Sequence, residues 1–296
     1  MPNYRRSQHG SRYGSSSRAR GVTTLVVTAL VIVGIFLGIK VISHSGSDSN
    51  TNNNNSDQIQ TLESVLKDVN LPLDENGDLV NASTTSAKQA CDGTVSSIST
   101  EDKIVVLTFD SISITDHADQ MLDTLKNNNV PAFFFVTGDF ADSHADILQK
   151  ISTDGFGIGN HSDTHPDFTT LEQSDVKSQI DNATTKIETA IGKSPVHFMR
   201  PPFNKVNDAI SQTIRNDGYC PILWNIDSID WKPDSTSDDV VQAVDDNLKP
   251  GAIIWMNFGH VTAADALPKI IQKVRDAGYK FVDLRDYISI PEKKQE

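Results

Sequence analysis

His161 and His165, in the run GNHSDTHP, are the residues of this chain best suited to shared chemistry. Neutral imidazole binds zinc and similar divalent ions, and a catalytic site of that kind takes three protein ligands and leaves one position open. With an i, i+4 spacing, one helical turn would bring both rings to one face, where they can point at a single ion. Eight histidines in 296 residues make this spacing unremarkable by itself. A solvated or turn-capping pair is the competing reading, and the third ligand and the acid–base groups decide between them.

Those groups must be delivered by the fold. From Lys103 onward, short β-branched or aromatic runs begin at Ile104 (IVVLTF), Ala132 (AFFFV), Phe156 (FGIG), Val196 (VHFM), Pro221 (PILW), Ala252 (AIIWM) and Lys280 (KFVDL). They alternate with helix-length segments at 116–127, 144–154, 171–191, 207–217, 236–248 and 263–277. Seven strands alternating with helices predict an α/β fold, βα units around a parallel sheet that is open or closed as a barrel. In such folds the chemistry lies beyond the carboxyl ends of the strands. Asp110 follows the first strand, His161 the third, Arg200 the fourth, Asp227 and Asp230 the fifth, and Asn257 the sixth.

Taken singly, each is weak. Asp110 could cap a turn, Arg200 could form a surface ion pair, and Asp230 could be a loop residue beside a core Trp231. In order, however, TFD at 108–110, HSDTH at 161–165, RPPF at 200–203, DSIDW at 227–231 and GAIIWM at 251–256 resemble the polysaccharide deacetylase family, the NodB-homology domain of family-4 carbohydrate esterases. The resemblance covers about residues 103–285. It implies a distorted (β/α) barrel and hydrolysis of N-acetyl groups on N-acetylglucosamine polymers such as peptidoglycan. It further implies a divalent metal, usually zinc, held by His161 and His165 with an acidic third ligand. Asp110 would be the general base, oriented by Arg200. The backbone N–H near Phe203 would hold the oxyanion, Trp231 would line the acetyl pocket, and Asp230 would tune an acidic histidine.

The chain departs from that pattern at two positions. The acidic metal ligand is replaced by Ser111, and the general-acid histidine by Asn257. A neutral hydroxyl is a poor ligand for a dication. An amide cannot release a proton to a leaving amine, a role worth about 100- to 10,000-fold in rate. Asp116 and His117, just beyond Ser111, and His260, three residues past Asn257, are the candidate replacements.

The N-terminal part carries a different signal. Residues 1–20 hold five arginines and no acid, and an uncharged, mostly apolar run of nineteen residues follows from Gly21 to Ile39. At about 1.5 Å per residue such a run spans roughly 28 Å, close to a bilayer core. It is longer than a signal-peptide core and no clear A-x-A cleavage site follows it. We read residues 21–42 as a transmembrane signal anchor. Residues 1–20 then form a basic cytoplasmic tail, because arginine favours the inner side, and the rest is extracellular at the cell membrane. Residues 43–60, rich in Ser and Asn, form a flexible linker. Residues 61–102 form a stub, and 103–290 the NodB-like domain.

Of 26 basic residues six precede Ser43, whereas all 39 acidic residues follow it, so the exported part carries 20 against 39, a net of −19. That excludes nucleic acid as a partner and favours a neutral or cationic substrate. Cys91 and Cys220 are the only cysteines. Outside the cell a disulfide between them is allowed, and two buried thiols fit equally well. Two functions follow: a membrane-anchored, metal-dependent wall deacetylase, or a catalytically impaired relative that uses the same groove to bind wall glycan or an envelope partner. A purely structural envelope domain is a third.

Overall fold

The structure is a computed structural model and describes residues 88–290. The expected cytoplasmic tail, anchor at 21–42, linker and first part of the stub lie outside the described residues. Among the described residues no helix is long and apolar enough to cross a membrane.

The centre of the domain is β2 (Ile104–Ser111), buried along its whole length. IVVLTF is apolar on both faces because a central parallel strand is covered on both sides. It pairs in parallel with β3 (Phe133–Val136) and β8 (Ala252–Asn257). β4 (Gly157–Asn160), β5 (Phe198–Met199) and β6 (Cys220–Pro221) continue outward from β3, and β7 (Ile226–Asp227) lies outside β8. β9 (Lys280–Phe281) joins the start of β2. The result is an α/β half-barrel of parallel strands, open between β6 and β7. Gly159 in β4 permits this curvature, since a Cβ there would lie 2.6 Å from the Phe198 carbonyl oxygen.

The helices follow the apolar spacing. In α4 (Gln173–Ile191), Val176, Ile180, Ala183, Ile187 and Ala190 are buried, one stripe on a 3.6-residue period, and Gly192 ends the helix in a left-handed conformation with φ +71°. Helices α1 (Ala118–Asn127), α3 (Ala145–Thr153), α5 (Asp208–Asn216), α6 (Ser237–Asp245) and α7 (Val261–Asp276) fall within a few residues of their expected ranges. The short α2 (Gly138–Ser143) was not anticipated: GDFADS is too brief to show a period, and it is started by Thr137, whose side chain accepts the Phe140 N–H.

The run PILW also differs from its expectation as one strand. Cys220–Pro221 pairs with β5, whereas the strand beside β8 is Ile226–Asp227. Between them the ladder is supplied by the N-terminal segment. The Val95 N–H donates to Pro221, the Leu223 N–H donates to Val95, and the Ile98 N–H donates to Gly251. Gly251 sits at φ +69°, and a Cβ on it would approach the Ile98 carbonyl oxygen to 2.0 Å. β1 (Gln89–Ala90) pairs with β10 (Ile288–Ser289), which follows α8 (Leu284–Tyr287). A Cys91–Cys220 disulfide ties the segment to the barrel edge, choosing between the two alternatives that the sequence left open. Residues 88–99 are thus integral to the half-barrel.

Candidate functional site

Strand register assembles the site. Asp110 is paired with Phe135 on one side and Asn257 on the other, and Asn160 with Val136 and Met199, so the last residues of β2, β4 and β8 lie on one rim. His161 and Arg200 are the next residues after β4 and β5.

Arg200 and Asp110 form the buried pillar of this rim. The Arg200 side chain is fully buried; its Nη1 donates to Asp110 Oδ1 at 2.8 Å and its Nη2 to Thr108 Oγ1 at 2.9 Å. The guanidinium also lies over the rings of Phe135, at 4.1 Å, and Trp224. Its burial is compensated because nearly every donor has a partner and the rings attract the cation. The other Asp110 oxygen, Oδ2, accepts the Trp255 indole N–H at 2.7 Å. Trp255 in turn stacks on Trp224 with centroids 4.4 Å apart. Sequence reasoning missed Trp255, Trp224 and Thr108 because GAIIWM, PILW and IVVLTF read only as apolar strands. The one available signal is Thr108, a polar residue inside an otherwise apolar buried strand, in register with Trp255.

The two histidines come together, but not on a helix. They lie on the loop after β4, with Ser162 at φ +72° and His165 at φ +59°. Asn160 and Ser162 fold this loop: Asn160 Oδ1 accepts the Ser162 N–H at 2.8 Å, and Ser162 Oγ accepts the His165 N–H at 3.0 Å. Gln179 of α4 accepts the N–H groups of Asp163 and Thr164. The expected helical turn is replaced by a pinned loop, yet the two Nε2 atoms are still only 3.2 Å apart.

His161 Nδ1 is 2.8 Å from the Arg200 carbonyl oxygen, so Nδ1 carries the proton and Nε2 presents its lone pair. Burial lowers the His161 pKa, partly offset by Asp110, and burial together with His161 pulls His165 down to about 4. Two neutral rings with facing Nε2 atoms suit a divalent ion. The remaining donors do not. Ser111 is fully buried and its Oγ has no hydrogen-bond partner in the structure, while both Asp110 oxygens are held by Arg200 and Trp255. Among the described residues no group of three or more His, Cys, Asp or Glu side chains is arranged to hold a metal ion. The side chains present therefore do not fit the expected zinc triad; they lack its anionic member.

Asp116 is exposed. His117 precedes α1 with Nδ1 against Gln120, and His260 is the N-cap of α7. None of the three forms a metal-holding group with the pair.

On the other flank, Asp230 is buried and its carboxylate is occupied by Asn257. Oδ2 accepts the Asn257 backbone N–H and Oδ1 its side-chain Nδ2–H, both at 2.6 Å. Burial raises the Asp230 pKa to about 6 despite these two bonds. This pair holds position firmly, but its side chain at 257 has no acidic proton.

Around the rim stand exposed apolar side chains: Ile114 at 38%, Phe203 at 57%, Trp231 at 51% and Val261 at 51%. Each lies in the segment leaving the carboxyl end of a strand, after β2, β5, β7 and β8 respectively, Val261 as the first residue of α7. Phe203 packs on His165 with ring centroids 4.6 Å apart and takes a left-handed φ of +57° inside a short 3₁₀ turn after Pro201 and Pro202. Double proline and this turn aim the ring outward from β5.

A half-barrel of parallel strands with Asp110, two histidines, Arg200 and Trp231 on its carboxyl rim defines a carbohydrate-esterase type of domain, and comparison with known proteins agrees. A profile of the family described as "Polysaccharide deacetylase" matches residues 97–222. Peptidoglycan-N-acetylmuramic acid deacetylase PdaA of Bacillus subtilis is 30% identical over 190 residues, covering 63% of this chain and 72% of that protein. A solved peptidoglycan N-acetylglucosamine deacetylase, Bc1960, is similar with TM-score 0.63 and 27% identity, over 69% of this chain and 95% of that one. A CE4 family pseudoenzyme from Bacillus anthracis, BA3943, is similar with TM-score 0.59 and 28% identity, over 63% of this chain and 65% of that one. A mutant of that pseudoenzyme with restored enzymatic activity is similar with TM-score 0.60 and 29% identity, over 63% of this chain and 67% of that one. This chain belongs to the polysaccharide deacetylase family.

Proposed function

We propose that this protein is a cell-envelope member of the family that binds N-acetylated wall glycan, peptidoglycan in the first place, without deacetylating it. The observation that carries the reading is Asn257. The position from which the family's acid would protonate a leaving amine holds Asn257, whose side-chain Nδ2–H and backbone N–H both donate to the Asp230 carboxylate. Ser111 removes the anionic metal ligand as well, so the Lewis acid and the proton donor are weakened together. The apolar rim supports retained binding: flat or branched apolar side chains suit the C–H faces of sugars. The net negative charge disfavours anionic polymers. We assign the protein to the outer face of the cell membrane, held by residues 21–42. The Cys91–Cys220 disulfide supports that assignment, because such bonds persist in oxidising compartments.

A second reading, a metal-dependent deacetylase with a weakened site, is favoured by one observation. The His161 tautomer is fixed for ligation by the Arg200 carbonyl, as it would be in a working centre.

Co-sedimentation of the full chain with purified peptidoglycan, with acetate release measured in the same tubes with and without added zinc, tests the proposal. Binding with no acetate above the protein-free control is expected. Failure to sediment with the wall would end the binding reading, and zinc-dependent acetate release lost in Asp110→Ala would establish the second.

A further inference from the structure

The geometry points to Asp227 as a positioning residue that holds the Trp231 indole as a rigid, outward-facing platform for a pyranose ring. This rests on the glycan-binding reading and names the part of the sugar that is recognised. Trp231 is half exposed on a surface loop, where an indole would ordinarily exchange between rotamers within nanoseconds. Here its Nε1–H lies 3.3 Å from both carboxylate oxygens of Asp227, four residues back. Asp227 is itself fixed, as the last residue of β7 in register with Trp255 of β8. The same carboxylate accepts the Ile229 N–H at 2.7 Å, supporting Ile229 at φ +59°, and the Lys232 N–H closes the turn onto the Ile229 carbonyl. Asp227 thus grips both the turn and the ring at its far end.

Two consequences follow for the ligand. The only polar atom of the indole is engaged by a carboxylate, so the Trp231 ring offers an apolar face with no donor of its own, the nearest cation being the Lys232 ammonium 5.9 Å from the centroid. That selects a ring with an uninterrupted axial C–H face, such as a β-linked N-acetylglucosamine-type pyranose. In addition, a ring already held does not lose rotamer freedom on binding, a cost that a mobile side chain must meet.

The test uses the full chain and the soluble N-acetylglucosamine tetrasaccharide, with affinity measured by calorimetry. Asp227→Ala is expected to weaken binding about fivefold, and Asp227→Asn, which keeps an acceptor oxygen, to stay within about twofold of the parent. In a Trp231→Phe background, which lacks the N–H, Asp227→Ala is expected to have less than about a twofold effect. Fluorescence anisotropy decay without ligand, with the Trp231 contribution taken as the difference from Trp231→Phe, reads the pinning directly. Asp227→Ala should add a fast component absent from the parent. Unchanged affinity and unchanged decay in Asp227→Ala would overturn the proposal. A loss that persists in the Trp231→Phe background would also overturn it, by showing that Asp227 serves only the turn. If the parent fails to bind the tetrasaccharide, the glycan reading falls on its own, and the anisotropy comparison still decides whether Asp227 holds the ring.

Discussion

The two flanks of the rim depart from the expected chemistry in opposite ways. On the histidine flank the supporting structure is intact: the loop is pinned by Asn160, Ser162 and Gln179, the His161 tautomer is set, and both rings are neutral. What is missing is one charge, and the Ser111 hydroxyl in its place is buried without a partner. On the Asp230 flank nothing is left unsatisfied. Asn257 has closed the carboxylate with two short hydrogen bonds, and the result is a well-paired structural contact. One flank is a vacancy in charge, the other a completed repair. The difference teaches that an amide at the expected acid position can be absorbed as packing, whereas a hydroxyl at the expected carboxylate position leaves a mark in the buried polar inventory.

Removing the pillar common to both flanks should have the largest effect. Arg200→Met leaves the Asp110 carboxylate buried without its cation, and urea unfolding should show a loss of about 3–5 kcal/mol. A loss under about 1 kcal/mol would mean that the pair is not a structural keystone.

Next is the vacancy itself. Supplying the absent anion by Ser111→Asp should raise zinc affinity at least about 100-fold, judged against the 10- to 100-fold that more distant ligand-supporting residues usually contribute. Competition with a chelating dye reads this. Equal affinity in parent and variant would show that a third ligand had been recruited elsewhere.

The flanks should also respond to pH with opposite sign. His165 has a folded pKa of about 4, below its ordinary 6.5, so its contribution is complete above about pH 6.5 and is lost as pH falls toward 4. Asp230 has a folded pKa of about 6, above its ordinary 3.8, so its contribution is complete below about pH 4 and is lost as pH rises through 6, by up to about 3 kcal/mol. Asp230→Asn removes the second slope, and stability should then climb more steeply with pH between 4 and 6 than in the parent. Parallel stability–pH curves for the two proteins would refute the shift.

Much of this was legible in the chain because parallel βα folds write their strands as apolar runs and place polar residues just after them. The seven runs mark strand positions of the half-barrel, and Asp110, His161, Arg200, Asp230 and Asn257 all reach one rim. Where local pattern was too short to speak, the reading failed. PILW is not one strand: only Pro221 belongs to β6, the strand beside β8 starts at Ile226, and Ile222 and Leu223 are paired by Val95, a partnership with no local signature. The histidine spacing suggested a helix, whereas positive φ at Ser162 and His165 shows that a loop reaches the same convergence by side-chain bonds. Trp255 was invisible as a site residue because its partner, Asp110, lies 145 positions away.

Acetate release is the most direct test of the central claim, that the scaffold persists while two specific functions are gone. The parent and the double variant Ser111→Asp/Asn257→His are each incubated with zinc and N-acetylglucosamine tetrasaccharide. The account expects no acetate from the parent above the protein-free rate and clear, chelator-sensitive release from the double variant. Turnover by the parent that disappears in Asp110→Ala would contradict it.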